Sequence, residues 1–388
     1  MLATIPDVDD AGHEAGAGSL SGRLRQRLAQ AIAGADGWLS FERFMSIALY
    51  EPGLGYYARG APVFGTMPGD GSDFVTAPEL SPLFAQALAR QLAQALDAVA
   101  GRGGAGELYE FGAGSGALAA QLLEALAALG VRVARCTIVE LSGALRARQR
   151  ERLAPFGERV RWLDAWPERI EGVVIGNEVL DAMPVTLLAF DGAAWHERGV
   201  TRDAAGAFAW ADRPTAQRPP VDAAFVPGTV TEIHPQAEAF VRSLAERLVR
   251  GAAFFVDYGY PAAEYYLPQR HQGTLMCHRR HRADADPLVD VGAKDITAHV
   301  DFSGIALAAQ DAGLDVIGYT SQARFLLNCG LAELLQGADL RARTAALRLV
   351  NEHEMGELFK VIGLTRGVRP EAGADWIGFA AGDRTHRL

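Results

Sequence analysis

The stretch Glu107-Leu-Tyr-Glu-Phe-Gly112-Ala-Gly114-Ser-Gly116 joins a short apolar run to a helical run that begins at Ala117. This pattern predicts a strand, a glycine-rich turn and a helix in direct succession. Glycine lets a chain reverse tightly and lets its backbone approach a ligand closely. The helix behind the turn directs unpaired N–H groups toward whatever lies there. The turn is therefore either a site for a nucleotide-like ligand or only a tight strand-to-helix connection.

The glycine spacing distinguishes between nucleotide-like cofactors. The dinucleotide fingerprint G-x-G-x-x-G requires a glycine where this chain has Ala117. Here the glycines follow G-x-G-x-G, and the acid Glu110 lies two residues before the first of them. This pattern resembles the first motif of class I S-adenosylmethionine (SAM) methyltransferases. The resemblance implies SAM as the cofactor, with Glu110, Gly112, Gly114 and Gly116 in its binding site.

Two further acids end the next two predicted strands. Glu140 ends the strand 134–140, and Asp164 follows the strand 159–163. In open α/β sheets, ligands bind beyond the carboxyl ends of the strands. Glu140 is therefore placed to accept both ribose hydroxyls, and Asp164 to accept the adenine amino group. Each can also be an ordinary solvent-exposed acid at a strand end. The glycine turn and the two acids together, in this order, are more specific for SAM than any one of them.

Strand and helix patterns alternate after residue 106, which is typical of a parallel sheet with helices on both faces. The predicted fold class is α/β: a Rossmann-like, seven-stranded class I SAM methyltransferase sheet with a helical N-terminal extension, a small β insertion and added C-terminal helices. The seven strands are predicted at 107–111, 134–140, 159–163, 172–177, 251–259, 315–320 and 376–380. Helices are expected over 295–312 and 322–360.

The chain is predicted to have three parts: a disordered tail at 1–18, a helical N-terminal region at 19–105 and the methyltransferase core at 106–388. The tail is rich in Gly, Ala and Asp, a composition that does not support a packed core. Within the core, residues 185–231 alternate apolar and polar side chains, which predicts a small antiparallel insertion. Residues 260–294 are expected to form an irregular polar loop region that can wrap around the site.

Composition and charge argue against several classes of partner. The net charge of −10 disfavours nucleic acid, because phosphate contacts need concentrated Lys and Arg. No apolar run reaches the roughly 20 residues that span a bilayer, so we expect no membrane partner. Three widely spaced cysteines and an acidic N-terminus fit a reducing, cytoplasmic location. Cys277-His278-x-x-His281 lacks a second ligand pair, so no metal site is predicted. The oligomeric state stays open.

Asn177, Glu178 and Asp181 follow the fourth predicted strand, beside the place where a methyl acceptor would lie. For a displacement at a sulfonium carbon, an enzyme supplies mainly positioning and a suitable electrostatic environment. An amine or guanidinium acceptor is cationic at neutral pH, and carboxylates hold guanidinium in a bidentate manner. We therefore predict Glu178 and Asp181 as catalytic residues and Asn177 as a cofactor-binding residue. The alternative is local: Glu178 caps the turn and Asp181 bonds to nearby backbone.

Other side chains are weaker candidates. Tyr56, Tyr57 and the turn 76–79 can cover the cofactor, or they can simply pack between helices. His299 and Asp301, placed on the predicted helix 295–312, can line the acceptor cleft. A buried histidine with ordinary hydrogen bonds is the alternative for His299.

Six stretches, in one order, resemble the MidA family of SAM-dependent methyltransferases over roughly residues 20–385. They are Tyr50-Glu-Pro-Gly-Leu-Gly-Tyr-Tyr57, Asp73-Phe-Val-Thr-Ala-Pro-Glu-Leu-Ser81, Glu110-Phe-Gly-Ala-Gly-Ser-Gly116, Asn177-Glu-Val-Leu-Asp-Ala-Met-Pro184, Phe255-Val-Asp-Tyr-Gly259 and His299-Val-Asp-Phe302. The mitochondrial members of this family include a complex I assembly factor that methylates an arginine of a complex I subunit. The resemblance implies a class I core with an added helical part, and a protein arginine acceptor that is symmetrically dimethylated. Richness in Ala, Gly and Arg favours a bacterial source. A small-molecule N-methyltransferase and a non-enzymatic SAM-binding assembly factor are the alternatives.

Overall fold

A mixed sheet forms the centre of the computed structural model, which describes residues 19–59 and 76–388. The predicted tail, residues 1–18, lies outside the described residues. The main strands are β1 (Ala105–Phe111), β2 (Arg132–Val139), β3 (Val160–Leu163), β4 (Ile170–Asn177), β5 (Leu248–Tyr260), β6 (Asp315–Ser321) and β7 (Phe359–Arg366). Their order across the sheet is β6-β7-β5-β4-β1-β2-β3, with the short strand Val300–Asp301 paired to the end of β5.

The strands of this sheet run parallel, except that β7 is antiparallel to both β5 and β6. The central strands are apolar on both faces: residues 252–256 of β5, for example, are at most 1% exposed. Such strands need helices on both sides of the sheet. The α/β, Rossmann-like fold class is confirmed.

Most of the helices cover the two faces of the sheet, and the first two pack on the N-terminal region and the insertion. The helices are α1 (Leu20–Ala33), α2 (Phe41–Tyr50), α3 (Ala77–Leu80), α4 (Pro82–Ala100), α5 (Ala117–Ala128), α6 (Gly143–Arg152), α7 (Pro235–Arg247), α8 (Ala262–Tyr265), α9 (Phe302–Asp311), α10 (Gln322–Asn328), α11 (Leu331–Gly337) and α12 (Leu340–Val350). One buried cluster joins the sheet to α4, α5 and α10 to α12, and a second joins it to α7 and α9. Among the described residues, no helix has both the length and the apolar character to cross a bilayer.

The predicted last strand is wrong. Residues 376–380 contain only a short 3₁₀ turn, Ile377–Phe379, and the strand is β7 instead, which begins inside the region 322–360 predicted as helical. The apolar run at Phe379 covers the sheet instead of joining it. A Cβ added to Gly318 of β6 or to Gly363 of β7 would come within 2.1 or 2.7 Å of the Phe379 ring. The two glycines therefore make room for an aromatic cover that sequence patterns do not distinguish from a strand.

The insertion and the N-terminal region share a second sheet. Its strands are Leu39–Ser40, Thr186–Phe190, Trp195–Arg202, Phe208–Pro214 and Val230–Ile233. Leu39–Ser40 pairs antiparallel with Trp195–Arg202, so the N-terminal region contributes one strand as well as helices. Side chains of α1 and α2 pack on this sheet in a third buried cluster. The N-terminal helices are thereby held against the insertion that follows β4.

The region predicted as an irregular loop is more regular than expected. Met276–Arg279, Arg282–Asp284 and Asp295–Thr297 form a small antiparallel sheet. The helix predicted over 295–312 is present but begins only at Phe302, so its predicted start is wrong. Asp301 is its N-cap, and its carboxylate accepts from the N–H groups of Ser303 and Gly304 at 3.1 and 3.2 Å. An N-cap aspartate marks the start of a helix, so the residues before it lie outside the helix.

Candidate functional site

A cavity of about 1060 Å³ lies at the carboxyl ends of β1, β2, β4 and β5. This is where open α/β sheets bind ligands. The N-terminal region and the strands at 276–284 contribute to its wall. Of the described residues that line the cavity, none is Lys or Arg and five are acidic: Glu110, Glu140, Glu178, Asp181 and Asp295. The cavity therefore favours cationic ligands.

The glycine turn forms one wall of the cavity. Gly112, Gly114 and Gly116 have φ angles of 63°, 54° and 81°, in the left-handed region that favours glycine. A Cβ on Gly112 would lie 3.0 Å from the Val179 side chain. Gly112 and Gly114 line the cavity, and Gly116 is the N-cap of α5 behind them. A ligand at this wall therefore meets bare backbone.

Glu140 is fixed by a buried network beside that turn. Its Oε1 accepts from the N–H of Ser142 at 2.9 Å, and its Oε2 accepts from Gln149 Nε2 at 3.2 Å. Gln149 also donates to the carbonyl of Gly114 at 2.9 Å and accepts from Trp162 Nε1 at 3.1 Å. Burial raises the pKa of Glu140, and the bonds from Ser142 and Gln149 oppose the rise. The Gln149 amide thus joins the glycine turn, Glu140 and β3. No sequence pattern predicts this role of Gln149.

Glu110 points into the same end of the cavity. It is 3% exposed, and burial followed by repulsion from Glu140 raises its pKa to about 8. Its Oε2 has no hydrogen-bond partner among the described residues. A buried carboxyl oxygen without a partner is costly, so this position fits a ligand that supplies an N–H or O–H.

Two side chains considered for the site lie away from the cavity. The Asp164 side chain is 77% exposed, lies 3.8 Å from Arg146 and does not line the cavity, whereas its neighbours Ala165 and Trp166 do. Tyr56 is buried among the residues of α1 and α2. The structure therefore does not bring the Asp164 carboxylate into the end of the cavity next to the glycine turn and Glu140, called the cofactor end below. Within the described ranges, no group of three His, Cys, Asp or Glu residues is arranged to hold a metal ion.

Glu178 lies in a tight turn after β4. Its φ of 54° is one that residues with a Cβ adopt at a cost, and its N–H donates to the carbonyl of Val256 at 2.9 Å. Asp257 on β5 holds the turn from behind. Its Oδ2 accepts from the N–H groups of residues 179, 180 and 181 at 3.1, 2.8 and 3.3 Å. Nothing in the stretch 255–259 indicates this role of Asp257, because its partners are backbone groups.

Burial raises the pKa of the carboxyls in and behind this turn. Burial is the largest cause that raises the pKa of Glu178 to about 8, and repulsion from Asp181 is the next. A 3.0 Å hydrogen bond donated by Asn177 Nδ2 opposes this rise. Burial raises the pKa of Asp181 to about 6, and a hydrogen bond donated by the Tyr258 hydroxyl opposes it. Burial beside Asp181 also raises the pKa of Asp257. Because a nearby cation favours the ionised form of a carboxyl, these groups fit a cationic ligand.

The end of the cavity next to Glu178 and Asp181, called the acceptor end below, also presents unpartnered atoms. Asn177 Oδ1, Asp181 Oδ1 and His299 Nδ1 are buried, line the cavity and have no hydrogen-bond partner among the described residues. The two oxygens accept, and a neutral imidazole offers one accepting nitrogen. A ligand that fits here carries several N–H groups.

Tyrosines from the N-terminal region close the cavity. The Tyr57 hydroxyl donates to Asp295 at 2.9 Å, and the Tyr57 carbonyl accepts from the Ser142 hydroxyl at 2.8 Å. Tyr50 stacks on Tyr57 with ring centroids 5.6 Å apart, and its hydroxyl donates to the carbonyl of Ala182 at 2.8 Å. The N-terminal region is thus bonded to both the cofactor side and the acceptor side.

Comparisons with known proteins agree with this geometry. A family model described as an S-adenosyl-L-methionine-dependent methyltransferase matches residues 87–320. A Burkholderia thailandensis protein whose crystal structure contains bound S-adenosyl-homocysteine is 54% identical to this chain, with a TM-score of 0.90, and the match covers 99% of this chain and 100% of that one.

Curated relatives carry a more specific name. The mitochondrial protein arginine methyltransferase NDUFAF7 of Danio rerio is 28% identical over 94% of this chain and 92% of its own length. The Homo sapiens protein of the same name is 26% identical over 87% of this chain and 82% of its own length. Both relatives are named as methyltransferases that act on protein arginine.

Proposed function

Because the chain belongs to the family of SAM-dependent methyltransferases whose model matches residues 87–320, we propose that it methylates a nitrogen of a protein arginine side chain. The enzyme class and the cofactor, SAM, follow from the family and from the relative bound to S-adenosyl-homocysteine. The observation that carries the acceptor proposal is the acidic acceptor end of the cavity, which offers carboxylates and unpartnered accepting atoms and no Lys or Arg among its described residues.

The cofactor end fits SAM. Glu140, already oriented by Ser142 and Gln149, would accept the ribose hydroxyls, and the N-terminus of α5 with its bare glycine backbone would lie beside the cofactor. Glu110 Oε2, which lacks a partner among the described residues, would accept from a cofactor donor group. When bound, SAM supplies an electrophilic methyl group on a sulfonium sulfur.

The acceptor end fits guanidinium better than a small neutral amine. Guanidinium is planar, always charged and carries five N–H donors. Glu178 and Asp181 supply the negative charge, while Asn177 Oδ1 supplies a neutral acceptor beside them. Tyr258 holds Asp181, and Asp257 fixes the backbone on which both acids stand. These residues would orient the acceptor nitrogen, and the two stacked tyrosines of the N-terminal region would exclude water.

Labelling a cell lysate tests this function. The purified full-length protein is incubated with lysate and SAM carrying a tritiated methyl group, the products are separated by size, and the labelled fraction is hydrolysed to amino acids. We expect label on a polypeptide and its recovery as methylarginine. The matched control is Glu178→Gln, which should bind SAM and transfer no label. Label in the small-molecule fraction, or in methyllysine, would refute the proposal.

A further inference from the structure

His299 lies in the cavity wall, and its main chain is held on two sides. The N–H of the preceding residue, Ala298, donates to the carbonyl of Asp181 at 3.0 Å. The N–H of His299 itself donates to Thr274 Oγ1 at 3.0 Å. His299 is therefore fixed next to the turn that carries Glu178 and Asp181, and the imidazole lies at the acceptor end of the cavity.

Two tyrosine rings orient the imidazole. It stacks on Tyr260 with centroids 5.3 Å apart and planes 5° apart, and it meets Tyr258 at 5.1 Å and 75°. The Tyr258 hydroxyl is the group that donates to Asp181. One ring thus contacts both the histidine and a carboxylate of the acceptor end, which couples their positions.

Nδ1 of His299 is buried and has no hydrogen-bond partner among the described residues. His234 provides a contrast: it is also buried, but its Nε2 is 3.2 Å from the Tyr265 hydroxyl and it does not line the cavity. A fixed imidazole with an unpartnered Nδ1, in the wall of a ligand cavity, is arranged to meet a ligand hydrogen.

The surroundings keep this imidazole neutral. Burial is the largest cause, and the positive charges of Arg270 and Lys360 together with His278 add to it; together they lower the pKa of His299 to about 4. At neutral pH one ring nitrogen is therefore free to accept a proton.

We propose that His299 is a further catalytic residue, which accepts the proton lost by the acceptor guanidinium during methyl transfer. This rests on the proposed arginine function. The acceptor nitrogen forms a bond to the methyl carbon while the sulfur–carbon bond breaks, and the bonding electron pair stays on sulfur. The methylated guanidinium keeps one positive charge, so one proton must leave the nitrogen. That proton passes to the imidazole and then to solvent.

A weak base is sufficient for this step. As the acceptor nitrogen bonds to the methyl carbon, its lone pair no longer delocalises into the guanidinium, and its N–H becomes strongly acidic. The carboxylates are less suitable, because Glu178 or Asp181 would lose its charge and release the cation that it holds. The imidazolium that forms faces Arg270 and Lys360, whose repulsion returns its proton to solvent.

Chemical rescue tests the proposal. The full-length His299→Ala variant is compared with wild type by transfer of tritium from SAM to the lysate polypeptide fraction, and by calorimetric SAM binding. We expect kcat to fall at least about 100-fold, the range of a lost general base, with the SAM Kd within about threefold. Added imidazole should restore at least about tenfold of the loss, in proportion to its neutral form as the pH is raised.

Two controls complete the experiment. His299→Gln fills the space and should not respond to imidazole, and His234→Ala removes another buried imidazole and should show no rescue. A kcat within about threefold of wild type, or a loss in folded, SAM-binding His299→Ala that imidazole does not reverse, overturns the proposal. Label on a residue other than arginine would instead refute the proposed function, and imidazole rescue would still report on His299.

Discussion

The two ends of the cavity differ in how their carboxylates are held. At the cofactor end, Glu140 has a defined donor on each oxygen, from Ser142 and Gln149. At the acceptor end, Glu178 stands in a left-handed backbone conformation, and Asp181 keeps one oxygen without a partner among the described residues. At the first end, Glu140 is arranged before any ligand arrives, whereas Glu110 Oε2 beside it has no partner among the described residues. At the second end, a bound cation would stabilise the ionised carboxylates.

This difference assigns the two ends different parts of catalysis. Preformed hydrogen bonds at the cofactor end lower the cost of ordering a ligand there. Crowded, buried carboxyls at the acceptor end are stabilised only when an opposite charge arrives. Changes at the acceptor end should therefore alter turnover, and changes at the cofactor end should alter SAM affinity.

The largest expected effect is that of Glu178→Gln. The amide keeps the shape of the side chain and its contact with Asn177, but it removes the charge that holds a cationic acceptor. We expect kcat to fall about 10³-fold, or roughly 4 kcal/mol of transition-state stabilisation, with SAM affinity unchanged within about threefold. Single-turnover kinetics and calorimetry measure the two quantities. Turnover within about tenfold of wild type would show that the acceptor end does not control turnover separately from SAM affinity.

Glu140→Ala should produce the opposite pattern at the other end. It removes the acceptor assigned to the ribose hydroxyls and leaves the Gln149 amide without one of its partners. We expect the SAM Kd to rise about 100-fold, or roughly 2.7 kcal/mol, since two charge-assisted hydrogen bonds are lost. Calorimetry measures this, and thermal denaturation checks the fold. An unchanged Kd would remove Glu140 from the cofactor site.

The contrast between the ends also explains what the sequence could predict. One end of the cavity is lined by a contiguous stretch, Glu110 to Gly116, and by an acid at the next strand end, so a local sequence pattern predicts residues that the structure brings together. The acceptor end is assembled from distant segments. Tyr57 and Asp295, for example, are 238 positions apart and are joined by a hydrogen bond. Asp257 supports its turn through backbone N–H groups, which leave no pattern in side-chain types.

The places where the structure departs from the sequence pattern have similar physical causes. The pattern at residues 376–380 is apolar because Phe379 covers two glycines of the sheet, not because it forms a strand. Asp164 follows β3, an edge strand of the sheet, and its side chain turns to solvent while Trp166 takes the wall position. Strand-end position alone does not decide which way a side chain points.

A smaller effect should appear in the pH dependence of kcat/KM, which reports groups of the free enzyme. Because the pKa of Glu178 is raised to about 8 and that of Asp181 to about 6, both lose charge as the pH falls through these values. The charged forms bind the cationic acceptor. We therefore expect kcat/KM to fall about tenfold per pH unit below about pH 8, and more steeply below pH 6.

The pH profile of SAM binding is the control for this prediction. Because the pKa of Glu110 at the cofactor end is also raised to about 8, calorimetric SAM affinity reports that group, and kcat/KM for the acceptor is measured at saturating SAM at each pH. A kcat/KM that is flat between pH 6 and 8 would mean that Glu178 is already ionised without a ligand. A cationic group near Glu178 would then be required to explain its ionisation.

The smallest expected effect is that of Asp164→Asn. Judged only by its position at a strand end, Asp164 would be expected to affect SAM binding as much as Glu140 does. The Asp164 carboxylate is 77% exposed and 3.8 Å from Arg146, and such surface pairs contribute at most about 1 kcal/mol. We expect the SAM Kd, kcat and melting temperature to stay close to those of wild type. Calorimetry at low and at physiological salt measures this. A rise of the Kd above about tenfold would show that the ligand draws Asp164 into the cavity, and that the cofactor end is less preformed than its hydrogen bonds indicate.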